Sequence, residues 1–156
     1  MTTLTSEAPL RELESRIGFI PNLAAAIAES PVAIASFVAQ QGVLRQTNLT
    51  PLEREVVGIT VSAENDCEYS LAAHSAFARK AGGSEALVAA LRARRPVDDE
   101  RLRSIQELTL SLLRERGHVQ PHDDALEVIT QIAYTTLANY VVNVKRPPID
   151  AAFAPE

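Results

Sequence analysis

The sequence predicts an all-α fold, and three observations support this prediction. No segment alternates apolar and polar residues between turn signals, so strands are not expected. Hydrophobic residues make up 46 % of the chain but aromatic residues only 4 %, so the core must consist mainly of Ala, Leu, Val and Ile, which suits closely packed helices. Finally, helix start and stop signals recur along the whole sequence.

Six helices are predicted from these signals. Their expected ranges are residues 31–46, 51–65, 67–81, 84–92, 99–116 and 123–144. The first begins with Ser30 as N-cap and Pro31 at the first helical position, where proline is favoured. The second begins at "NLTPLERE", in which Thr50 and Glu53 have the spacing of a capping box.

The second predicted helix has an unusually wide apolar surface. Leu52, Val56, Ile59 and Ala63 trace one stripe, and two further valines lie on the far side. This pattern indicates a helix that is buried around most of its circumference.

The other helices begin at polar N-cap candidates and end at glycine or proline. The candidate caps are Asn65 or Asp66, Ser84, Asp98 or Asp99, and Asp123 or Asp124. The stops are Gly82-Gly83, Gly117 and Pro147-Pro148. We expect one domain over residues 1–156, with residues 1–16 and 147–156 as peripheral tails and residues 149–156 extended.

Composition and charge exclude several classes of protein. The net charge of −5 argues against nucleic-acid binding, which requires a basic surface. The longest apolar segment is interrupted at Glu29, Ser30 and Pro31, which argues against a membrane span. The N-terminal residues lack a secretory signal pattern, and a single cysteine cannot form an internal disulfide. A cytoplasmic location is therefore expected.

The candidate active site lies in "SAENDCEYSLAAHSAFARKAG", residues 62–82. On a helix Cys67, Ser70 and His74 share one face, with Ser70 one turn from each of the others. Cys67 and His74 are roughly 10.5 Å apart along the axis, too far for a direct hydrogen bond unless both side chains bend toward each other. Ser70 or a trapped water could therefore carry a proton between them.

Glu55 is the expected partner of His74. It lies at the edge of the apolar stripe of its helix, where a buried carboxylate would need a polar or charged partner. The residues alone leave a plainer interpretation open, because a lone cysteine is often an inert small hydrophobe and a lone histidine a satisfied polar group.

No cofactor or metal site is predicted elsewhere. His118 and His122 lie close together in "GHVQPHDD", but the flanking Gly117 and Pro121 predict a loop rather than a helix that would bring both rings together. The chain also lacks a Gly-rich phosphate loop and a Gly-x-Ser-x-Gly elbow.

Glu55 followed by "CEYSLAAH" resembles the alkylhydroperoxidase D-like family within the carboxymuconolactone decarboxylase superfamily. The signature of that family is Glu and then Cys-x-x-Cys-x-x-x-His, so Cys67 matches the first cysteine and His74 the histidine. The segment "GFIPNL" and residues Asn139 and Asn143 resemble the family at its beginning and end. The sequence departs from the family at Ser70, which stands in place of the second cysteine.

The resemblance implies an all-α homo-oligomer in which a glutamate and a histidine relay protons to a redox cysteine pair. In dithiol members the second cysteine commonly attacks the peroxide and the first resolves the intermediate. Because Ser70 replaces the second cysteine, the internal disulfide of the family cannot form here.

Three functional hypotheses follow. In the first, Cys67 alone attacks a hydroperoxide, His74 oriented by Glu55 takes the thiol proton directly or through Ser70, and an external thiol restores the enzyme. In the second, His74 is the acid or base of a decarboxylase-like reaction on a lactone acid. The carboxylate of that substrate would need a cationic partner, and the cations nearby in sequence are Arg54, Arg79 and Lys80. In the third, the protein is a non-catalytic binding module with a degenerate site.

Self-association is also expected. The segment from Leu23 to Val38 and the last predicted helix are rich in alanine and valine and carry few charges. This apolar excess is more than one small domain readily buries, which favours a homo-oligomer.

Overall fold

The computed structural model describes residues 3–154, and all regular secondary structure in this range is helical. The elements are α1 (Glu7–Ile17), α2 (Asn22–Ile27), α3 (Pro31–Leu44), α4 (Pro51–Glu64), α5 (Glu68–Lys80), α6 (Glu85–Arg92), α7 (Glu100–Arg114), α8 (Ala125–Lys145) and the 3₁₀ turn η1 (Ala151–Phe153). The predicted all-α class is therefore confirmed.

Helix α4 lies at the centre of the molecule, in contact with α5, α6, α7 and α8. Nearly all of its residues from position 56 to position 63 are inaccessible to solvent, as its wide apolar surface predicted. Thr50 and Glu53 form the predicted capping box, and the buried Glu53 carboxylate also accepts a 2.6 Å bond from Arg101. The helix that carries Glu55 is thus fixed by its neighbours on most sides.

The predicted helix starts agree with the structure at four positions. The side chains of Ser30, Thr50, Ser84 and Asp99 each accept a backbone N–H bond at the beginning of a helix. Asp124 is the N-cap of α8, but its carboxylate pairs with Arg101 instead of capping the backbone.

The predicted cap of the cysteine helix is wrong. Helix α5 begins at Glu68, one residue later than expected, and Cys67 itself is the N-cap. Asp66 adopts a left-handed conformation with φ of 49°, and this turn joins α4 to α5. Cys67 therefore lies at the start of α5 rather than within its first turn.

Two N-terminal helices were not predicted. Helix α1 buries Leu13 and packs against α3, and the short α2 buries Leu23, Ala24 and Ile27. Leu10, Leu13 and Ile17 of α1 recur at helical spacing and pack in one core cluster, an apolar pattern that the prediction did not use.

The C-terminal residues form a strap, residues 147–154, that lies against the body of the protein. The expected extended tail over residues 149–156 is wrong for Ala151–Phe153, which form η1, and Phe153 is 5 % exposed. Residues 155–156 of that tail lie outside the described range. The Asp150 carboxylate accepts the backbone N–H of Asn22 at 3.1 Å, and the Asn22 side chain donates to the carbonyl of Pro148 at 3.0 Å. These bonds join the strap to the start of α2.

The buried apolar residues form two clusters. One surrounds α4, α6 and α7, and the other lies between α1, α2, α3, α5, α8 and the strap. Cys67 belongs to the second cluster, and the candidate site lies within it. Within residues 3–154 no helix combines the length and the apolar character needed to cross a membrane.

Candidate active site

Glu55 and His74 form a hydrogen-bonded pair between α4 and α5. The Glu55 Oε2 atom lies 2.7 Å from His74 Nδ1. Both side chains are largely enclosed, with 20 % of Glu55 and 11 % of His74 exposed. A carboxylate on Nδ1 leaves the other ring nitrogen, Nε2, to accept or deliver a proton.

The imidazole of His74 packs directly on the backbone of Gly58. A Cβ atom added at Gly58 would lie 2.5 Å from His74 Nδ1 and 2.6 Å from Cε1, inside any permitted contact distance. Only glycine at this position allows the ring to lie against α4 and reach Glu55. Gly58 was missed by the sequence analysis, although a glycine inside a long buried helix is itself a signal of close approach.

Cys67 and Ser70 form a second pair. The Cys67 thiol donates to Ser70 Oγ at 3.3 Å, and the Cys67 backbone N–H donates to the carbonyl of Ser62 at 2.9 Å. Both residues are buried, with Cys67 1 % exposed. Cys67 is thus held in place through both its side chain and its backbone.

Asparagines of α8 fix the turn that precedes Cys67. Asn139, which is fully buried, donates to Ser62 Oγ at 3.1 Å and accepts from the Asn65 side chain at 3.0 Å. Asn143 donates to the carbonyl of Asn65 at 3.2 Å. The two asparagines noted in the sequence therefore stabilise the α4–α5 turn. In the described residues they form no hydrogen bond with the Cys67 thiol or with His74.

Ser70 and His74 border one inner cavity of about 70 Å³, which is otherwise mostly apolar. Within the described range no hydrogen bond joins these two side chains, although the cavity that both border is large enough for several waters. Cys67 does not border the cavity, because Ser70 lies in front of it. The row of three predicted from the sequence is present, with a gap between serine and histidine.

A larger cleft of about 380 Å³ opens on the other side of His74. His74, Phe77, Tyr134 and Phe153 border both spaces, while Glu55 borders the cleft alone. Four cations also line the cleft, which we call the basic cleft: Arg16, Arg45, Arg54 and Lys80. Of the three cations noted from the sequence, Arg79 is absent from this wall and pairs with Glu85.

Comparison with known proteins agrees with this geometry. Residues 31–104, slightly less than half of the chain and including all four candidate residues, match the model of the carboxymuconolactone decarboxylase family. This part of the chain is therefore similar to the carboxymuconolactone decarboxylase family. No curated protein matches the sequence.

Solved structures share the fold of this protein. An alkylhydroperoxidase AhpD core from Ralstonia eutropha, described as an uncharacterized peroxidase-related protein, has a TM-score of 0.83 and 22 % identity over 97 % of this chain and 90 % of its own. A peroxidase-related protein from a Silicibacter species has a TM-score of 0.76 and 22 % identity over 98 % and 90 %. At this identity the likeness shows the fold.

Two tyrosines flank the site as neutral phenols. Tyr69 donates to the Asp150 carboxylate and accepts the backbone N–H of Leu23 at 3.1 Å. Burial and the bond to Asp150 raise the pKa of Tyr69. Burial and the nearby Glu55 carboxylate raise the pKa of Tyr134. Both phenols therefore stay protonated at any ordinary pH.

The remaining histidine pair lies away from the site. His122 accepts the backbone N–H of Asp124 at 3.1 Å through Nδ1, ahead of α8. Across residues 3–154 no three potential ligands from His, Cys, Asp and Glu come together to hold a metal. His122 thus has a local structural role at the start of α8.

Proposed function

We propose that the protein is a thiol-dependent peroxidase in which Cys67 is the redox group. His74, oriented by Glu55, accepts the thiol proton and later donates it. The observation that supports this is that each of two hydrogen-bonded pairs, Glu55–His74 and Cys67–Ser70, has one member, His74 or Ser70, on the wall of the same inner cavity. The peroxidase-related descriptions of the two structural relatives agree with it. No cofactor is needed for this reaction.

The chemistry balances with one hydroperoxide and two molecules of an external thiol. The Cys67 proton passes through Ser70 and cavity water to His74, and the thiolate attacks the hydroperoxide. The O–O bond breaks, Cys67 becomes a sulfenic acid, and the alcohol leaves with the proton from His74. One external thiol then forms a mixed disulfide and releases water, and a second restores Cys67 with release of the external disulfide.

An external reductant is required because Ser70 occupies the position of the second cysteine. In the dithiol members that the sequence resembles, a second cysteine is available at this position, whereas a hydroxyl cannot form a disulfide with oxidised Cys67. A cytoplasmic setting, where small and protein thiols are kept reduced, would supply this reductant.

Exposure of the folded protein to hydrogen peroxide tests the proposal. We expect one oxygen atom to add to Cys67, trappable by a sulfenic-acid reagent and detectable by intact mass, and a markedly slower reaction in His74→Ala. Cys67→Ser is the matched control and should take up no label. A thiol that stays unmodified in the folded protein, while reacting in the unfolded protein, would exclude the peroxidase.

A decarboxylase-like acid–base reaction at His74 is the second candidate. It is favoured by one observation: His74 borders both the inner cavity and the basic cleft, whereas Cys67 borders neither. On a lactone acid or β-keto acid this hypothesis expects Cys67→Ser to keep activity and His74→Ala to lose it. A binding module without catalysis expects neither substitution to change any measured activity.

We also propose that the protein is a homo-oligomer. Helix α8 presents exposed apolar side chains, with Leu126 78 %, Val144 77 % and Tyr140 59 % exposed. A groove between α2 and α8 adjoins the last two of these residues. We expect light scattering at micromolar concentration to give a mass at least twice that of the 16.9 kDa chain. A monomer would contradict this expectation.

A further inference from the structure

Unpaired cations are concentrated at the basic cleft, although the protein as a whole is acidic. Eight of the fifteen lysines and arginines lie in ion pairs with Asp or Glu in the described range. Of the seven without such a partner there, three border the cleft: Arg45, Arg54 and Lys80. Among residues 3–154 the only carboxylate on the cleft wall is Glu55, which is bonded to His74. The wall therefore carries an excess of positive charge.

Arg54 is the most informative of these cations. It lies in the first turn of α4, where the helix dipole disfavours a positive charge, so stabilisation of the helix end does not explain it. Its Nη1 donates to the carbonyl of Leu44 at 2.8 Å, which fixes the guanidinium. Its Nε is buried without an acceptor, and no carboxylate in the described residues neutralises the charge. An anion bound beside this partly buried guanidinium would stabilise its uncompensated positive charge.

The other cations have partial explanations of their own. Arg45 follows the C-terminus of α3 and Lys80 ends α5, where positive charge is favourable. Arg16 pairs with Glu12 and donates to Gln41 at 2.8 Å. Arg45 and Lys80 thus add positive potential, while Arg54 is the fixed donor that lacks a counter-charge.

We propose that the basic cleft binds the carboxylate of a small organic molecule, with Arg54 as its principal donor and Arg45 and Lys80 at the rim. The apolar part of the ligand lies against Phe77, Tyr134 and Phe153, beside His74. The role of the cleft in turnover rests on the proposed function: the substrate would be a carboxylate-bearing hydroperoxide rather than a neutral one. Binding of the anion itself does not depend on that chemistry.

Calorimetric titration with benzoate at low salt tests the site, with benzamide as the neutral ligand of the same shape. We expect benzoate to bind at least tenfold more tightly than benzamide, and Arg54→Gln to weaken benzoate binding at least tenfold. Arg95→Gln is the matched control, since Arg95 is exposed, lies outside the cleft and has no carboxylate partner in the described residues; it should bind as the wild type does.

Three outcomes would overturn the proposal: equal affinity for benzoate and benzamide, unchanged binding in Arg54→Gln, or tighter binding of inorganic phosphate than of benzoate. If Arg54→Gln does not fold, Arg45→Gln at an exposed position gives the same test, with at least a threefold loss expected and no loss contradicting it. Benzoate binding in a protein whose thiol resists peroxide would retain the anion site and exclude the peroxidase. Peroxide reactivity without benzoate binding would retain the peroxidase and exclude the anion site.

Discussion

Gly58→Ala is expected to displace the His74 ring and break its bond to Glu55. The added methyl would lie within 2.8 Å of three atoms of the imidazole, which has the rigid helix α4 on one side and the core on the other. Overpacking of this kind costs about 1–3 kcal/mol, which outweighs the gain of about 1 kcal/mol that alanine brings to a helix interior. If His74 serves as the base, peroxide oxidation of Cys67 should also slow by about 10²-fold, at the low end of the range for general acid–base catalysis.

Thermal unfolding and the nitrogen chemical shifts of His74 measure the two effects separately. Gly42→Ala is the matched control, because it is also a glycine inside a helix but its new methyl would meet only the flexible end of Arg16, at 3.0 Å. We expect that control to be neutral or slightly stabilising and to leave the His74 signals in place. An unchanged His74 environment in Gly58→Ala would contradict the close packing described above.

Phe153→Ala is expected to join the inner cavity to the basic cleft and to destabilise the strap. The Phe153 ring borders both spaces and packs against three aromatic rings, those of Phe19, Tyr69 and Phe77, at centroid distances of 5.8, 6.0 and 5.5 Å. Truncation of a buried phenylalanine costs about 3–5 kcal/mol. Removing the ring would also give bulky molecules a route to the side of His74 that faces Ser70.

Urea denaturation measures the stability, and the rate of Cys67 oxidation by cumene hydroperoxide relative to hydrogen peroxide measures access. We expect the free energy of unfolding to fall and the relative rate with the bulky peroxide to rise. Ile149→Ala, in the same strap at a 46 % exposed position, should change neither quantity by much. An unchanged selectivity in Phe153→Ala would mean that this ring does not separate the two spaces.

The central helices could be predicted because their signals are local. The spacing of Thr50 and Glu53 predicts the start of α4, and the apolar pattern of α4 predicts that the helix is buried. The helical period places Cys67, Ser70 and His74 on one face. The Glu55–His74 contact was predicted because the Glu55 carboxylate needed a partner. The catalytic roles of these four residues remain predictions.

Other parts of the site depend on contacts between distant segments, which a local pattern does not reveal. Arg16, Arg45 and Arg54 reach the basic cleft from α1, the end of α3 and the start of α4. The strap has little helical signal of its own, and its hydrogen bonds to α2 and α5 and the packing of Phe153 hold it in place. Gly58 becomes interpretable once the position of the His74 ring is known.

The carboxylate of Asp150 has a consequence for the dynamics of the protein. It bonds to Asn22 and Tyr69, residues 128 and 81 positions away in the sequence, so a few contacts hold the strap against the site. Segments held by few contacts open with a free energy below that of global unfolding. Release of the strap would uncover Phe153 and the inner cavity while α4 and α5 stay folded. The rate at which substrates enter would then follow a local opening equilibrium, visible as faster amide hydrogen exchange in residues 147–154 than in the central helices.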